Sequence, residues 1–505
     1  MPLNLITDRW IPVRLADGGR RLIRPDEITE PDVVFPDWSR ADLNVACLEM
    51  LIGLVFLADP PTDDEDWEAR QIPDRQPLKD RLQRLAPAFR LDGTGPLFLQ
   101  DLEPIEGEIK PPDSLFIDSA GSNTIRNNGD LMVHRDRYPV LDLPFAAMAL
   151  YTLQAFAPAG GQGNRTSMRG GGPMVTLIDP GTGHLWDLIW ANVPDGMPAS
   201  PEVLPWMKPT RTSEADGSET YPHHGHAAEA FFGMPRRIRL MIDAETVTGF
   251  IQKPRGTNYA GWLHPLTPYT RQKPDSDFLP VHPRAGRFSY QNWLGVVVAA
   301  PSEKRELRRR AAAIDTFERR VLLEDRRQAS VIVSGWSMDN MKPRDFIFSR
   351  QPLLPLGEAA EVTLRAMIEA ADTFRYQLRD ALKPVLAEGS ARDALVEAFF
   401  TDTQDAFEQG LAALLRGALP AEVAATWIAV TGRVALGLFE RAALPGLDQR
   451  PLKEMAAIID AREVLRAVLM GWRRPGVDAY AKLGLTPRTR KTSPKPGESG
   501  EGEST

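Results

Sequence analysis

The run Pro355-Leu356-Gly357-Glu358 is where the chain changes character. From there to Arg474 alanine and leucine dominate, and four amphipathic stretches follow one another, at 358–386, 391–416, 421–443 and 452–473. The breaks between them are Glu388-Gly389-Ser390, Gly417-Ala418-Leu419-Pro420 and Leu444-Pro445-Gly446. Apolar-striped helices joined by short loops predict an antiparallel four-helix bundle. Upstream, short alternating runs are punctuated by most of the prolines and glycines, which predicts a mixed α/β region with many loops. The expected class is therefore α+β. Residues 1–355 form a mixed N-terminal domain, residues 356–480 an all-α four-helix bundle, and residues 481–505 a disordered tail rich in Pro, Ser, Gly and charge. A chain of 505 residues exceeds what one core usually serves, which agrees with more than one domain.

A hydrophobic content of 43% with 25% charged residues is ordinary for a soluble globular protein. No run of about 18 apolar residues is read, so no membrane span is expected. The N-terminus lacks the basic start and apolar stretch of a signal peptide. Cys47 is the only cysteine, which excludes disulfides within the chain and thiolate zinc clusters. A cytoplasmic location is expected. A formal net charge of −8 argues against coating nucleic acid by bulk charge, but leaves room for local basic patches.

Within the N-terminal region, an alternating run through Trp10 and Val13 predicts a strand, with a hairpin turn at Asp17-Gly18-Gly19. Ser39 or Asp42 is positioned to cap a helix carrying Leu43, Ala46, Cys47, Met50, Leu51, Leu54 and Val55 at core spacing. Acidic residues 59–68 read as a solvated loop, and 77–89 as an amphipathic helix. Strand-like runs stand at 175–178 and 184–190, and residues 303–328 read as one charged helix. That helix has nine Lys/Arg against six Asp/Glu, a surplus able to track a phosphate backbone, although most charged helices are simply solvated. His223, His224 and His226 lie close enough in sequence to ligate a metal, but no carboxylate or cysteine completes a site and an exposed loop reads better.

The least core-like stretch is Pro158-Ala159-Gly160-Gly161-Gln162-Gly163-Asn164-Arg165-Thr166-Ser167-Met168-Arg169-Gly170-Gly171-Gly172-Pro173. A helix-like run over 143–156 leads in and a strand-like run over 174–179 leads out. Glycines serve where φ is positive or a backbone must approach something closely. Arg165 and Arg169 suggest that the approached group is anionic. Neither a Walker loop nor a dinucleotide fingerprint fits, and a flexible surface hairpin is the plain alternative. A second weakly patterned segment, 101–142, offers Arg126, Asn127, Asn128, His134, Arg135 and Arg137 for phosphate and base hydrogen bonds, or is a disordered excursion. Pro235-Arg236-Arg237-Ile238 opens a strand, and Lys253-Pro254-Arg255 makes a cation-bearing turn. No nucleophile elbow, Walker motif, His-Glu-x-x-His, metal-carboxylate cluster or cofactor fingerprint is present. No catalytic residue, metal or cofactor is expected, and the weight shifts to a binding protein.

The order of several stretches resembles one family. They are Leu5-Ile6-Thr7-Asp8-Arg9-Trp10-Ile11-Pro12-Val13, the glycine loop ending Met168-Arg169-Gly170-Gly171, and Phe232-Gly233-Met234-Pro235-Arg236-Arg237-Ile238. Gly261-Trp262-Leu263-His264-Pro265, Gly335-Trp336-Ser337-Met338-Asp339-Asn340-Met341-Lys342-Pro343 and the C-terminal helices complete the series. The chain is similar to CasA, the large subunit of the type I-E CRISPR surveillance complex Cascade. The resemblance implies a non-catalytic reader of the protospacer-adjacent motif (PAM) of double-stranded target DNA from the minor groove. It implies partners as well: crRNA, the backbone, handle-binding and small Cascade subunits, and a recruited helicase–nuclease. It assigns DNA contacts to a glycine loop (Gly160, Gly161, Gln162, Gly163, Asn164, Arg165) and a lysine finger (Lys253, with Arg255 as second candidate). A duplex-opening wedge falls on Met338, Asp339, Asn340 and Met341, with Asn340 inserted. Docking onto the crRNA 5′ handle falls on 119–137, including Arg126, Asn127, Asn128, His134 and Arg135, a segment expected to order only on assembly. A nucleic-acid-processing enzyme with a dispersed site and a purely structural scaffold subunit are the alternatives.

Overall fold

A computed structural model describes residues 2–128, 130, 133–161, 163–214, 217–300 and 307–487. The expected tail lies outside these from residue 488 onward. Internal contacts divide the chain into two units, Met1–Phe288 with Gly295–Pro355, and Ser289–Leu294 with Leu356–Thr505.

The first unit opens with β1 (Ile11–Leu15), β2 (Arg20–Ile23) and β3 (Val33–Pro36), then α1 (Ala41–Ala58), α2 (Asp64–Ala69) and α3 (Arg75–Gln83). Next come β4 (Ile109–Lys110), α4 (Ser122–Arg126), β5 (Leu141–Asp142), α5 (Leu143–Phe156), β6 (Val175–Asp179), α6 (Leu185–Trp190) and α7 (Glu229–Phe232). The unit closes with β7 (Arg237–Asp243), β8 (Thr246–Lys253), β9 (Tyr269–Thr270), β10 (Leu279–Pro280), β11 (Arg308–Arg309), α8 (Ala312–Arg320), β12 (Ser330–Asp339) and β13 (Lys342–Pro352). The strands pair as small antiparallel sheets: β2–β1–β3, β10–β9–β11, β13–β12–β6, and β8 flanked by β7 on one edge and by β4 and β5 on the other.

The core helix α1 is apolar nearly all round, and its residues are buried except Ala41 and Asn44. A helix of that kind belongs in an interior. It is long and apolar enough to cross a membrane by length and composition, which the sequence reading did not anticipate, but 89% of it is buried inside the protein. Neither Ser39 nor Asp42 caps it. The cap position is Arg40, which makes no side-chain capping bond, while Asp42 lies in the first turn and pairs with Arg40 at 2.8 Å. The expected helix over 143–156 is α5, capped by the Asp142 carboxylate, which accepts from the Phe145 N–H at 2.7 Å.

Four local expectations are corrected. Residues 184–190 form the helix α6 rather than a strand, because a short apolar run carries no decisive period. Tertiary partners decide it: the Trp190 indole donates to the Trp67 carbonyl at 3.0 Å, and the Trp67 indole donates back to the Trp190 carbonyl at 3.2 Å. The acidic stretch 59–68 is no solvated loop, since buried Asp59 pairs with Arg70 and Arg81 and Asp63 caps α2. The helix expected over 77–89 is α3, ending at Gln83, followed by a tight turn at Ala86–Ala88 where Pro87 lacks an N–H. The single charged helix expected at 303–328 is broken into β11, α8 and a tight turn at Leu323–Gln328, with 303–306 outside the described residues. Two of its cations are committed: Arg310 to Asp315 and Glu318, Arg320 to Asp64 and Asp195.

The second unit consists of α9 (Glu358–Ala381), α10 (Ser390–Leu415), α11 (Pro420–Ala443), α12 (Leu452–Leu469) and a shorter α13 (Gly476–Lys482). Helix α9 packs on α10, α11 and α12, and α11 on α10 and α12. The α13 helix extends past residue 480, where the sequence placed the start of the tail. The short segment Ser289–Leu294 belongs to this unit although it precedes it by some sixty residues. Tyr290 explains why: its ring stacks on Phe407 at 4.3 Å and its hydroxyl hydrogen-bonds Thr403 at 2.6 Å inside the helical core.

Candidate nucleic-acid interface

The glycine stretch leaves α5 and returns into β6, and its base is closed by two backbone bonds. Ser167 N–H donates to the Ala157 carbonyl at 2.9 Å, and Gly172 N–H to the Phe156 carbonyl at 3.1 Å. The loop then divides into two halves with different floors.

The C-terminal half, 167–172, is pinned from below. Arg169 is only 2% exposed and donates to both carboxylate oxygens of the fully buried Glu49 on α1, at 2.5 and 3.0 Å, and to Thr267 at 3.2 Å. The anion that Arg169 meets is thus internal, which corrects the reading of this arginine as a contact for an external one. Burial pushes the Glu49 carboxyl above its ordinary pKa, opposed by Arg169. His264 stands beside them; its Nδ1 accepts from the Leu266 N–H at 3.1 Å, so a neutral ring carries its proton on Nε2, 3.6 Å from Glu49. Burial, and then the charge of Arg169, hold its pKa well below the ordinary histidine value.

The N-terminal half, 158–165, rests on a different floor. The guanidinium of Arg236, 4% exposed, donates to the Pro158 carbonyl and lies against Gly160, where a β-carbon would stand 2.7 Å from its Nη1. Gly161, at φ +64°, is exposed with open space around it. Gln162 lies outside the described residues. The Gly163 carbonyl accepts from the Arg255 N–H at 2.9 Å, which ties the loop to the cation-bearing turn. Asn164 accepts from Gln252 on β8 at 2.9 Å, and Arg165 donates back to Ser213 at 2.8 Å. Asn164 and Arg165 therefore brace the loop rather than extend from it.

Lys253 is the last residue of β8, opposite Arg237 in the β7–β8 ladder. Arg255 follows at φ +60° and is exposed. Both candidate cations of the finger thus flank the glycine loop.

Strands β12 and β13 form a long hairpin closed by the two-residue turn Asn340–Met341, both at positive φ (+48° and +61°). Such turns match strand twist and favour Asn-Gly. Asparagine suits the first position, but methionine in the left-handed region costs roughly 1–2 kcal/mol. Local strain of this kind persists only where the surroundings hold it. Here they do. A β-carbon on Gly171 would stand 3.1 Å from the Met341 sulfur, and one on Gly172 2.8 Å from the Met338 methyl and 2.6 Å from the Trp336 carbonyl oxygen. The two methionines therefore lie against the glycine loop on one side, Met341 remaining 46% exposed, and Asn340 is exposed at the tip. Its amide donates to Asp339 at 3.1 Å, and Asp339 pairs with Arg344 at 2.6 Å.

The segment 119–137 is held by contacts of its own. It contains α4, and Arg135 pairs with Asp130 while donating to the Ile125 carbonyl and the Asn128 side chain, each at 3.1 Å. Arg137 bonds Asp118, which Arg40 also grips, fixing the base of the excursion. Gly129, Leu131 and Met132 lie outside the described residues. Arg135 is thus spent on its own segment, whereas Arg126, Asn127 and His134 are exposed.

Glycine loop, finger turn and hairpin tip come from parts of the chain up to about 180 residues apart and meet in one place. The model of the CRISPR-associated protein Cse1 matches residues 4–438 of this sequence. The chain belongs to the Cse1 family. Solved structures share its fold. CasA (Cse1) of Thermus thermophilus aligns with a TM-score of 0.68 at 19% identity over 92% of this chain and 99% of that one. Thermobifida fusca Cse1 aligns at 0.68 and 18%, over 95% and 98%. A chain of a CRISPR RNA-guided surveillance complex aligns at 0.64 and 15%, over 92% and 99%.

Three residues of this site were not assigned to it from the sequence. Arg236 looked like part of a basic strand start, and Lys110 and Gln252 like nothing in particular. Lys110 on β4 donates to Gln252 at 3.3 Å, and Gln252 in turn holds Asn164. Only the pairing of β4 with β8 brings them under the loop.

Proposed function

We propose that this Cse1-family chain is the large, non-catalytic subunit of a crRNA-guided DNA surveillance complex. In this reading it inspects the PAM of double-stranded DNA from the minor groove, opens the adjacent base pair and helps recruit a helicase–nuclease. Its partners are then crRNA, held near 119–137, and the backbone, handle-binding and small subunits. The observation that carries the reading is the single surface made by exposed Gly161, the Lys253–Arg255 turn and the Asn340 tip. The minor groove is narrow and lined mainly by acceptors, so backbone N–H groups and an ammonium suit it, and a side-chain-free peptide fits it. A polar tip on a braced hairpin suits insertion at a base step, where unstacking costs a few kcal/mol.

The test is R-loop formation by the assembled complex on matched and pre-opened duplexes. Lys253→Ala should weaken binding about tenfold, the worth of one charge-assisted hydrogen bond of roughly 1.5 kcal/mol, with little change in base preference. Asn340→Ala should slow opening of matched DNA more than it weakens first binding, and pre-opened DNA should rescue it. An Asn340→Ala complex equally slow on both substrates would remove the wedge from the reading.

A further inference from the structure

Burying a cation without a counter-charge is costly, and proteins normally place a carboxylate beside it. The Arg169 guanidinium follows that rule with Glu49. Arg236 does not. Among the described residues no carboxylate pairs with it, its Nε has no hydrogen-bond partner, and one backbone carbonyl, that of Pro158, accepts from its Nη2. Its neighbour in sequence shows that carboxylates were within reach of the strand: Arg237, on the opposite face, bonds Asp101 at 2.6 Å. Burial pulls the Arg236 pKa down to about 10, which still leaves it charged at neutral pH.

A second cation faces the same floor. Lys110 is half-buried and bonds a neutral amide, that of Gln252. Its pKa is lowered first by burial and then by the charge of Arg236, with exposed Glu108 acting the other way. Two like charges within electrostatic reach under one loop destabilise the free protein. Above them lies backbone with little side chain, and among the described residues nothing accepts from the N–H groups of Ala159, Gly160 or Gly161. The Pro158 carbonyl points down to Arg236, and in a trans peptide the following N–H, that of Ala159, points the opposite way.

We propose that Arg236 and Lys110 form a cationic floor whose missing counter-charge is the phosphodiester backbone of the duplex lying over the glycine loop. Arg236 is a positioning residue: it orients the 158–159 peptide and projects positive potential through a surface thinned by glycine. Lys110 adds to the same field from the β4 edge. This inference rests on the proposed duplex-reading role and adds to it the electrostatic half of the contact.

The experiment compares Arg236→Met, Lys110→Met and Lys253→Ala in the full chain assembled with guide RNA and partner subunits. It measures thermal melting and duplex affinity across a salt series. Removing an uncompensated buried charge should leave the Arg236→Met melting temperature equal to or above that of the parent. Its affinity at low salt should nevertheless fall on the order of tenfold, and the dependence of log affinity on log salt should become shallower, because fewer counterions are released. Lys110→Met should act in the same direction. A parental affinity and salt slope for Arg236→Met, alongside weakened binding by Lys253→Ala, would overturn the floor and leave the duplex-reading role standing. A lower melting temperature with an unchanged salt slope would also overturn it, since the arginine would then be structural only. If none of the three variants altered duplex binding, the duplex-reading role itself would fall.

Discussion

Arg169, within one half of the glycine loop, and Arg236, beneath the other, are buried to nearly the same degree but are partnered differently. One has a bidentate carboxylate and the other has a carbonyl oxygen. The comparison teaches that burial of a charge does not by itself say what the charge is for. A compensated cation anchors: the Arg169–Glu49 pair fixes where the loop leaves the core, and breaking such a pair strands its partner. An uncompensated cation has no such partner inside the fold, and the proposed floor gives Arg236 an external one. The loop is accordingly close-packed where it meets the β12–β13 hairpin and open where Gly161 is exposed.

The largest way to test this contrast is Glu49→Ala, which leaves Arg169 buried and unpaired. It should cost about 3–5 kcal/mol in urea unfolding, against no loss for Arg236→Met. Equal effects of the two substitutions would erase the distinction. Next in size is Gly172→Ala. At φ +62°, with a β-carbon 2.6 Å from the Trp336 carbonyl oxygen, the β12–β13 hairpin has to shift. A loss of about 2–3 kcal/mol is expected, with faster amide exchange along 336–346. Normal exchange there would mean that the hairpin is not seated on the loop.

A pH series addresses the compensated floor. The His264 pKa is depressed in the folded state, so the unfolded chain takes up the proton first as pH falls. Its contribution is complete above about pH 6.5 and declines as pH drops from there toward the depressed folded value, by at most about 1.4 kcal/mol per pH unit. Glu49, with its raised pKa, acts in the opposite sense, so the comparison is with His264→Gln, which should show a flatter stability profile between about pH 7 and pH 5. Superimposable profiles would mean that His264 is protonated alike in both states. The smallest stability effect belongs to Gly161→Ala. Nothing lies within 4 Å of the new methyl, and the left-handed φ alone should cost about 1 kcal/mol. Duplex affinity should fall by more than that cost, since the methyl stands where the groove is proposed to lie.

Much of the scaffold was legible because it depends on local chemistry. The entry of the glycine loop from α5, its exit into β6, the strand β7 and the α9–α12 helices follow from periodicity and breaker residues. Errors fell where partners remote in sequence decide the outcome. Residues 184–190 became a helix through reciprocal bonds between Trp67 and Trp190, and Asp59 left the solvent for Arg70 and Arg81. Tyr290 joined a helical core that begins some seventy residues after it.

The site divides in the same way. The sequence by itself showed a glycine-rich run with little side chain and a cation-bearing turn at Lys253-Pro254-Arg255, and the resemblance added Asn340. The first two are properties of residue type and near neighbours. Only the tertiary structure decided that the three meet, that Arg165 and Arg169 turn inward, and that Lys110 and Arg236 share a floor where, among the described residues, no carboxylate pairs with either. The reason is that charge compensation is a sum over everything within a few ångströms, since the attraction between ions falls with distance and is strong only where water is excluded. A list of residues in chain order carries no such sum until folding brings the partners together.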